Sequence, residues 1–269
     1  MMLTGRLGFL GYGNMGSAIL EGLIHNEVIE GHHAAVYDPS TDRQYAAERL
    51  GVTIYPTPAN LAANVDILML AVKPQMMGEA LEPIQQALTE DVLVISIAAG
   101  LSMDRLREQL GGHKRLIRAM PNTPCLAQAG ATGIALSDVC SEEDKHTAVT
   151  IFAAVGVCEV VPEKDIDAVT AVSGSGPAYF FRMVEALTDA GVAEGLPYSV
   201  ASELAAQTLY GAGKLLQSTG DAPSVLRERV TSPGGTTAAA LQQLEADDYS
   251  GVIRRAVGAA AKRSRELGA

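Results

Sequence analysis

Two glycine-rich stretches hold the residues of this 269-residue chain best placed to do chemistry. The first is Leu10-Gly11-Tyr12-Gly13-Asn14-Met15-Gly16, which follows a short apolar run and precedes an amphipathic stretch over 17–25. In a dinucleotide site, glycines at this spacing give a tight turn at Gly11, room for pyrophosphate at Gly13 and close helix-on-strand packing at Gly16. Unpaired N–H groups at the start of the next helix then face the phosphates. The second stretch is Ser232-Pro233-Gly234-Gly235-Thr236-Thr237. Ser and Pro suit a helix start, but a cap needs neither two glycines nor two threonines. The combination reads as a carboxylate seat: backbone N–H groups hold the anion, and a threonine hydroxyl faces the neighbouring polar atom.

Other positions support these two. Asp38 ends the second strand run, at the distance where an acidic residue accepts hydrogen bonds from the adenine ribose. A carboxylate there repels a ribose phosphate and so leans to NADH over NADPH. Equally, Asp38-Pro39-Ser40 can cap a helix starting near Thr41, and Arg43 is close enough to receive a phosphate instead. In Ala71-Val72-Lys73-Pro74, Lys73 is either solvated or able to reach the nicotinamide ribose or a substrate carboxylate. Ile97-Ala98-Ala99-Gly100 ends a strand with small residues, where a flat nicotinamide can approach the backbone. Met120-Pro121-Asn122-Thr123-Pro124 is a loop stiffened by two prolines, and its Asn122 either bonds a ligand or ties the turn. Ser173-Gly174-Ser175-Gly176-Pro177-Ala178-Tyr179 is a Gly/Ser turn into a helix, suited to an anion, an interdomain contact or simple packing.

These residues need elements to position them. Apolar runs predict strands over 7–10, 34–37, 52–54, 67–71, 92–97, 116–120, 133–136 and 157–161, with helices over 41–50, 77–88, 103–110 and 142–155 between them. Continuous runs such as Ile67-Leu68-Met69-Leu70-Ala71-Val72 suit strands buried on both faces of a parallel sheet. The fold class is α/β: an N-terminal Rossmann-type doubly wound sheet, residues 1–162, followed by an all-helical C-terminal domain, residues 163–269. Its helices are expected over 178–194, 200–216, 223–230, 236–245 and 249–267. A helical half of this size has a thin core. It is therefore expected to bury its faces against a second copy, making the chain a homodimer at least.

Bulk properties narrow the partners. A net charge of −11 argues against a phosphate-backbone partner, so no nucleic acid is expected. Three widely spaced cysteines and five histidines without ligand spacing predict neither a disulfide framework nor a metal site. With no apolar run of membrane-crossing length and no leader pattern, the expectation is a cytoplasmic protein without a membrane partner.

Read from residue 7 to 267, the motifs together resemble the pyrroline-5-carboxylate reductase family. They are the N-terminal G-x-G-x-x-G, Ala71-Val72-Lys73-Pro74, Ile97-Ala98-Ala99-Gly100, Met120-Pro121-Asn122-Thr123-Pro124, the stretch 165–179 and, most specifically, Val230-Thr231-Ser232-Pro233-Gly234-Gly235-Thr236-Thr237. The resemblance implies reduction of 1-pyrroline-5-carboxylate to L-proline with NADPH or NADH, by dimers often assembled into decamers. It places Thr237 at the ring nitrogen of the substrate as the catalytic contact, with Ser232, Gly235 and Thr236 around its carboxylate and Glu163 near the site. It lines the cofactor with Leu10, Gly11, Tyr12, Gly13, Asn14 and Met15, with Ala71, Val72, Lys73 and Pro74, and with Ile97, Ala98 and Ala99. Two departures stand out: Asp38 lies where the family often has Ser, Asn or Arg, and an Asn seen in some members after the third strand is missing from Tyr55-Pro56-Thr57-Pro58. Two-domain reductases acting on β-hydroxy acids usually carry a catalytic lysine on the first interdomain helix, and residues 179–194 contain none.

Overall fold

The strands alternate their side chains between two buried layers. Leu7, Phe9, Ile67 and Met69 face one layer, where they meet Ile19, Leu23 and Phe152; Leu10, Leu68 and Leu70 face the other, against Leu61, Leu81 and Leu106. Burial on both faces is why these segments read as unbroken apolar runs. The structure, a computed structural model, describes residues 3–268; Met1, Met2 and Ala269, the outermost residues of the two expected domains, lie outside them. The chain divides into two compact units, one running to Ser175 and taking in the residues from Ala260, the other Gly176–Ala259.

In the first unit the strands are β1 (Leu7–Leu10), β2 (Ala34–Tyr37), β3 (Thr53–Ile54), β4 (Ile67–Leu70), β5 (Leu93–Ser96), β6 (Leu116–Met120), β7 (Gly130–Leu136) and β8 (Gly156–Val160). They form one sheet in the order β3-β2-β1-β4-β5-β6-β7-β8. This is the doubly wound arrangement expected, with its reversal of strand order between β1 and β4. Every neighbouring pair is parallel except β6 and β7. Their connection, residues 121–129, holds only a 3₁₀ turn, and a parallel crossover needs a dozen residues or more.

The helices are α1 (Asn14–His25), α2 (Thr41–Glu48), α3 (Pro58–Ala62), α4 (Met77–Leu81), α5 (Met103–Gln109), α6 (Glu142–Ala153) and α7 (Ile166–Val169). The single helix expected over 77–88 is instead α4 followed by a 3₁₀ turn at Glu82–Ile84. Pro83 is the reason, because it has no N–H to continue the ladder and its ring collides with the preceding turn. Short α3 was not expected; Thr57 starts it by accepting the Asn60 N–H at 3.1 Å.

The second unit is helical, built from α8 (Gly176–Ala193), α9 (Tyr198–Thr219), α10 (Pro223–Arg229), α11 (Thr236–Ala246) and the first part of α12 (Tyr249–Gly268). Antiparallel α8 and α9 pack closely where Gly191 meets Ala201. Few of its side chains are buried, among them Thr188, Ala201 and Ala205, whereas Phe180, Phe181, Leu204 and Tyr210 are each more than half exposed. A thin core with large apolar faces is what the sequence led us to expect of this half.

Candidate functional site

The glycine-rich turn leaves β1 at the switch point of the sheet. Gly11 donates its N–H to Tyr37 O at 2.8 Å, and Ala71 donates to Leu10 O at 2.9 Å, so the ends of β1, β2 and β4 are tied side by side. Gly11 takes φ +96°, and a Cβ there would sit 2.9 Å from Ala71 O, so only glycine fits. Gly13 is the N-cap of α1 and makes no side-chain cap bond. A Cβ on it would meet nothing nearer than Arg43 Nη1 at 3.8 Å, which leaves the turn open above its backbone. Free N–H groups beneath an open approach fit a pyrophosphate.

Around this turn the structure gathers the other residues expected to line a dinucleotide. Ala71 and Val72 are half-buried at the end of β4, while Lys73 and Pro74 are exposed. Ile97 donates its N–H to Leu70 O at 3.1 Å, which sets Ile97, Ala98 and Ala99 beside the end of β4. Tyr12 is buried, and its hydroxyl donates to Glu21 at 3.1 Å. Burial first, and the adjacent Glu21 carboxylate second, push that hydroxyl far above the ordinary tyrosine range, so Tyr12 stays neutral and serves as an anchor. Asn14 is exposed and Met15 half-buried.

Asp38 is only 2 % exposed. Its Oδ2 accepts the Tyr12 N–H at 2.7 Å, its Oδ1 accepts the Ser40 N–H at 2.9 Å, and Arg43 Nη1 lies 3.4 Å from Oδ2. The N-cap of α2 is Ser40, whose side chain makes no cap bond. Asp38 therefore ties the glycine turn to the end of β2. Asn122 also ties a turn: it donates to Ser173 O at 2.9 Å and accepts the Ala131 N–H at 2.8 Å. The Ser173–Tyr179 stretch enters α8 through a π-helical turn, Thr170–Gly174.

Glu163 follows β8 in the first unit. Its Oε1 accepts the Met103 N–H at 2.6 Å and lies 3.5 Å from Nη1 of Arg118, whose side chain is 8 % exposed. Sequence reasoning missed Arg118, although a charge inside Leu116-Ile117-Arg118-Ala119-Met120 was the available signal. Ser264 donates to Asp167 Oδ1 at 2.5 Å, securing the end of α12 within the same unit.

Ser232, Gly235, Thr236 and Thr237 lie together in the second unit, at the start of α11. Gly234 has φ +72°, and a Cβ on Gly235 would stand 2.5 Å from Ser232 Oγ. The two glycines let the chain fold tightly enough to bring Ser232 over the helix start. Gly235 is the N-cap and offers no side chain to the first turn. Among the described residues, the hydroxyls of Ser232, Thr236 and Thr237 have no hydrogen-bond partner within the fold. Three hydroxyls without partners and the N–H groups of the first turn thus belong to one helix start, which suits a carboxylate with a polar neighbour.

No group of three or more His, Cys, Asp or Glu among the described residues is placed to hold a metal ion. Nor is any of their helices long and apolar enough to cross a membrane.

A doubly wound sheet with a glycine turn at its switch point, followed by an all-helical unit, defines an NAD(P)-dependent oxidoreductase of the two-domain kind. Over 97 % of its length the chain is 39 % identical to the pyrroline-5-carboxylate reductase of Escherichia coli K12, covering 98 % of that protein, and it belongs to the pyrroline-5-carboxylate reductase family. Residues 163–267 match the family described as pyrroline-5-carboxylate reductase dimerisation, and residues 6–100 that described as NADP oxidoreductase coenzyme F420-dependent. Among solved structures, a pyrroline-5-carboxylate reductase from Coxiella burnetii superposes with a TM-score of 0.95 at 36 % identity, covering 99 % of this chain and all of that one. The Plasmodium falciparum pyrroline carboxylate reductase, solved with NADP bound, gives 0.87 at 33 % identity, with full coverage of both chains.

Proposed function

We propose that this chain reduces 1-pyrroline-5-carboxylate to L-proline, the last step of proline synthesis, by hydride transfer from NAD(P)H to the C=N carbon. The observation that carries the reading is the start of α11, where Ser232, Thr236 and Thr237 hold unpartnered hydroxyls around a glycine N-cap. Ser232, Gly235 and Thr236 seat the substrate carboxylate. Thr237 meets the ring nitrogen and fixes which face of the ring is presented. An imine accepts hydride far better as its iminium, and that charge disappears as the hydride arrives, so proximity and orientation do much of the work. Thr237 is too weak an acid to be the whole proton source, so water or a carboxylate such as Glu163, itself proposed as a substrate contact, supplies the proton that makes the iminium. The dinucleotide supplies the hydride. Leu10, Gly11, Tyr12, Gly13, Asn14, Met15 and Gly16 cradle its phosphates, Asp38 stands toward its adenosine end, and Ala71, Val72, Lys73, Pro74, Ile97, Ala98 and Ala99 line its nicotinamide half.

The functional boundary is proposed at 162/163, with residues 1–162 binding the cofactor and residues 163–269 serving substrate binding and dimerisation. A homodimer, with further assembly to a decamer, accounts for the exposed Phe180, Phe181, Leu204 and Tyr210. The net charge of −11 supports a protein without a nucleic-acid partner, and the free cysteines Cys125, Cys140 and Cys158 support a cytoplasmic one. The test supplies freshly prepared 1-pyrroline-5-carboxylate with NADPH or NADH, following loss of the reduced nicotinamide and formation of proline. Oxidation of neither cofactor would overturn the assignment.

A further inference from the structure

An acidic residue at the end of β2 ordinarily marks a site for NADH, because it accepts both ribose hydroxyls and repels a 2′-phosphate. The geometry around Asp38 differs from that pattern in two ways. Both carboxylate oxygens already accept a backbone N–H, Oδ1 from Ser40 at 2.9 Å and Oδ2 from Tyr12 at 2.7 Å, which aims the group into the fold. At 2 % exposure the group presents nothing to a ribose at the surface. The side chain presented outward is Arg43. It is 52 % exposed, its Nη1 is 3.4 Å from Asp38 Oδ2, and it is the nearest atom to the open side of Gly13, 3.8 Å from where a Cβ would stand.

The charge of Asp38 is thus directed inward, to two amides and one edge of a guanidinium. Arg43 spends one nitrogen on Asp38 and keeps the rest of its N–H donors for an anion. A guanidinium is well matched to phosphate, with two parallel N–H groups for two oxygens. Held from behind by a buried carboxylate, it loses little freedom when the phosphate arrives. Gln44 reinforces the arrangement by donating to Asp38 O at 2.7 Å, which fixes the first turn of α2 against the end of β2.

We propose that Arg43 is the receptor for the 2′-phosphate of the dinucleotide and that buried Asp38 positions it, so that the chain prefers NADPH. This rests on the NAD(P)H-dependent reading above and deepens it, selecting between cofactors that the fold accepts alike.

The test compares binding of adenosine 2′,5′-bisphosphate with adenosine 5′-monophosphate by calorimetry, since the two differ only in the 2′-phosphate. The wild-type chain is expected to bind the bisphosphate about 10- to 100-fold more tightly, the size of a charge-assisted hydrogen-bonded pair. Arg43→Ala should bring the ratio close to one, and Arg43→Lys should restore part of it. In turnover, the ratio of kcat/KM for NADPH over NADH should fall in the same order. Asp38→Asn, which keeps the side-chain size but removes the charge that holds Arg43, should lower the ratio part of the way toward that of Arg43→Ala. Equal wild-type affinities, or a ratio indifferent to Arg43→Ala, would overturn the proposal, as would a tenfold rise in preference for the bisphosphate in Asp38→Asn. Absence of turnover with either cofactor alongside an intact binding ratio would instead sink the reductase assignment and leave this one standing.

Discussion

The carboxylate of Glu163 accepts the backbone N–H of Met103 at 2.6 Å and faces the buried guanidinium of Arg118 at 3.5 Å. Met103 is the first residue of α5, so this bond ends the segment that begins at Ile97 beside the cofactor turn. Removing the charge with Glu163→Gln keeps an acceptor for Met103 but leaves Arg118 without its counter-ion. Because Glu163 is about one-third exposed, the expected cost is nearer 1–2 kcal/mol than the 3–5 kcal/mol of a fully buried pair. Arg118→Met in the same chain should recover most of that loss, since a neutral Met beside a neutral Gln leaves no buried charge without a counter-ion. Thermal unfolding of the two single variants and the double variant checks this. A rise in KM for pyrroline-5-carboxylate with unchanged Tm, not recovered in the double variant, would make Glu163 a substrate contact alone.

Thr237 offers a cleaner separation of chemistry from stability. Its hydroxyl has no partner inside the described fold, so Thr237→Ala should leave the unfolding free energy within about 0.5 kcal/mol of the parent's. Loss of a hydrogen bond to the charged ring nitrogen predicts a fall in kcat/KM of about 10- to 100-fold, and Thr237→Ser should retain most of the activity. Unchanged kcat/KM in Thr237→Ala would remove this residue from the mechanism.

How much of this was legible in the chain depends on whether the cause was local. The Gly11–Gly16 turn, the Ser232–Thr237 helix start and the doubly buried strands all carry their causes in adjacent residues. So did Asn122, where tying the turn was one of two readings that the residue type allowed. The antiparallel placement of β7 was not legible, because the apolar pattern of a strand is the same in either direction. The break after Leu81 was legible in Pro83 and went unread, as did the Thr57 cap of α3. The engagement of Glu163 by Met103 and Arg118 joins residues distant in sequence, and only the folded sheet brings them together. Asp38 is the instructive case: its place after the second strand run is local, but its burial, and with it the outward exposure of Arg43, depends on the fold.

The helical unit predicts concentration-dependent stability. Phe180 at 56 %, Phe181 at 62 %, Leu204 at 56 % and Tyr210 at 60 % exposure are the apolar side chains that a second copy would cover. Association that buries them stabilises the folded chain by mass action, so Tm should rise with protein concentration. Light scattering at micromolar concentration should give a mass of at least two chains. A monomeric mass with a concentration-independent Tm would count against the dimer.

Asp144 predicts the acid limit of stability. It is almost fully buried in the first turn of α6, where its Oδ2 accepts the Ser141 N–H at 2.8 Å and its Oδ1 accepts Arg115 Nη2 at 2.6 Å. Burial, the largest single influence, pushes its carboxyl up, but the bonds from Arg115 and Ser141 together outweigh it and hold the group below the usual carboxylate range. A carboxylate depressed in the folded state adds stability that is fully present above its unfolded value, near pH 4, and is lost as the pH falls through the folded value. Asp144→Asn should therefore cost about 1–3 kcal/mol at pH 7. Its Tm should then decline less steeply than the parent's below about pH 4, so that the two curves converge. Other carboxylates titrate in both proteins, and the difference between the curves isolates Asp144. Curves that run parallel down to the acid limit of folding would show that the Arg115–Asp144 pair does not couple folding to protonation.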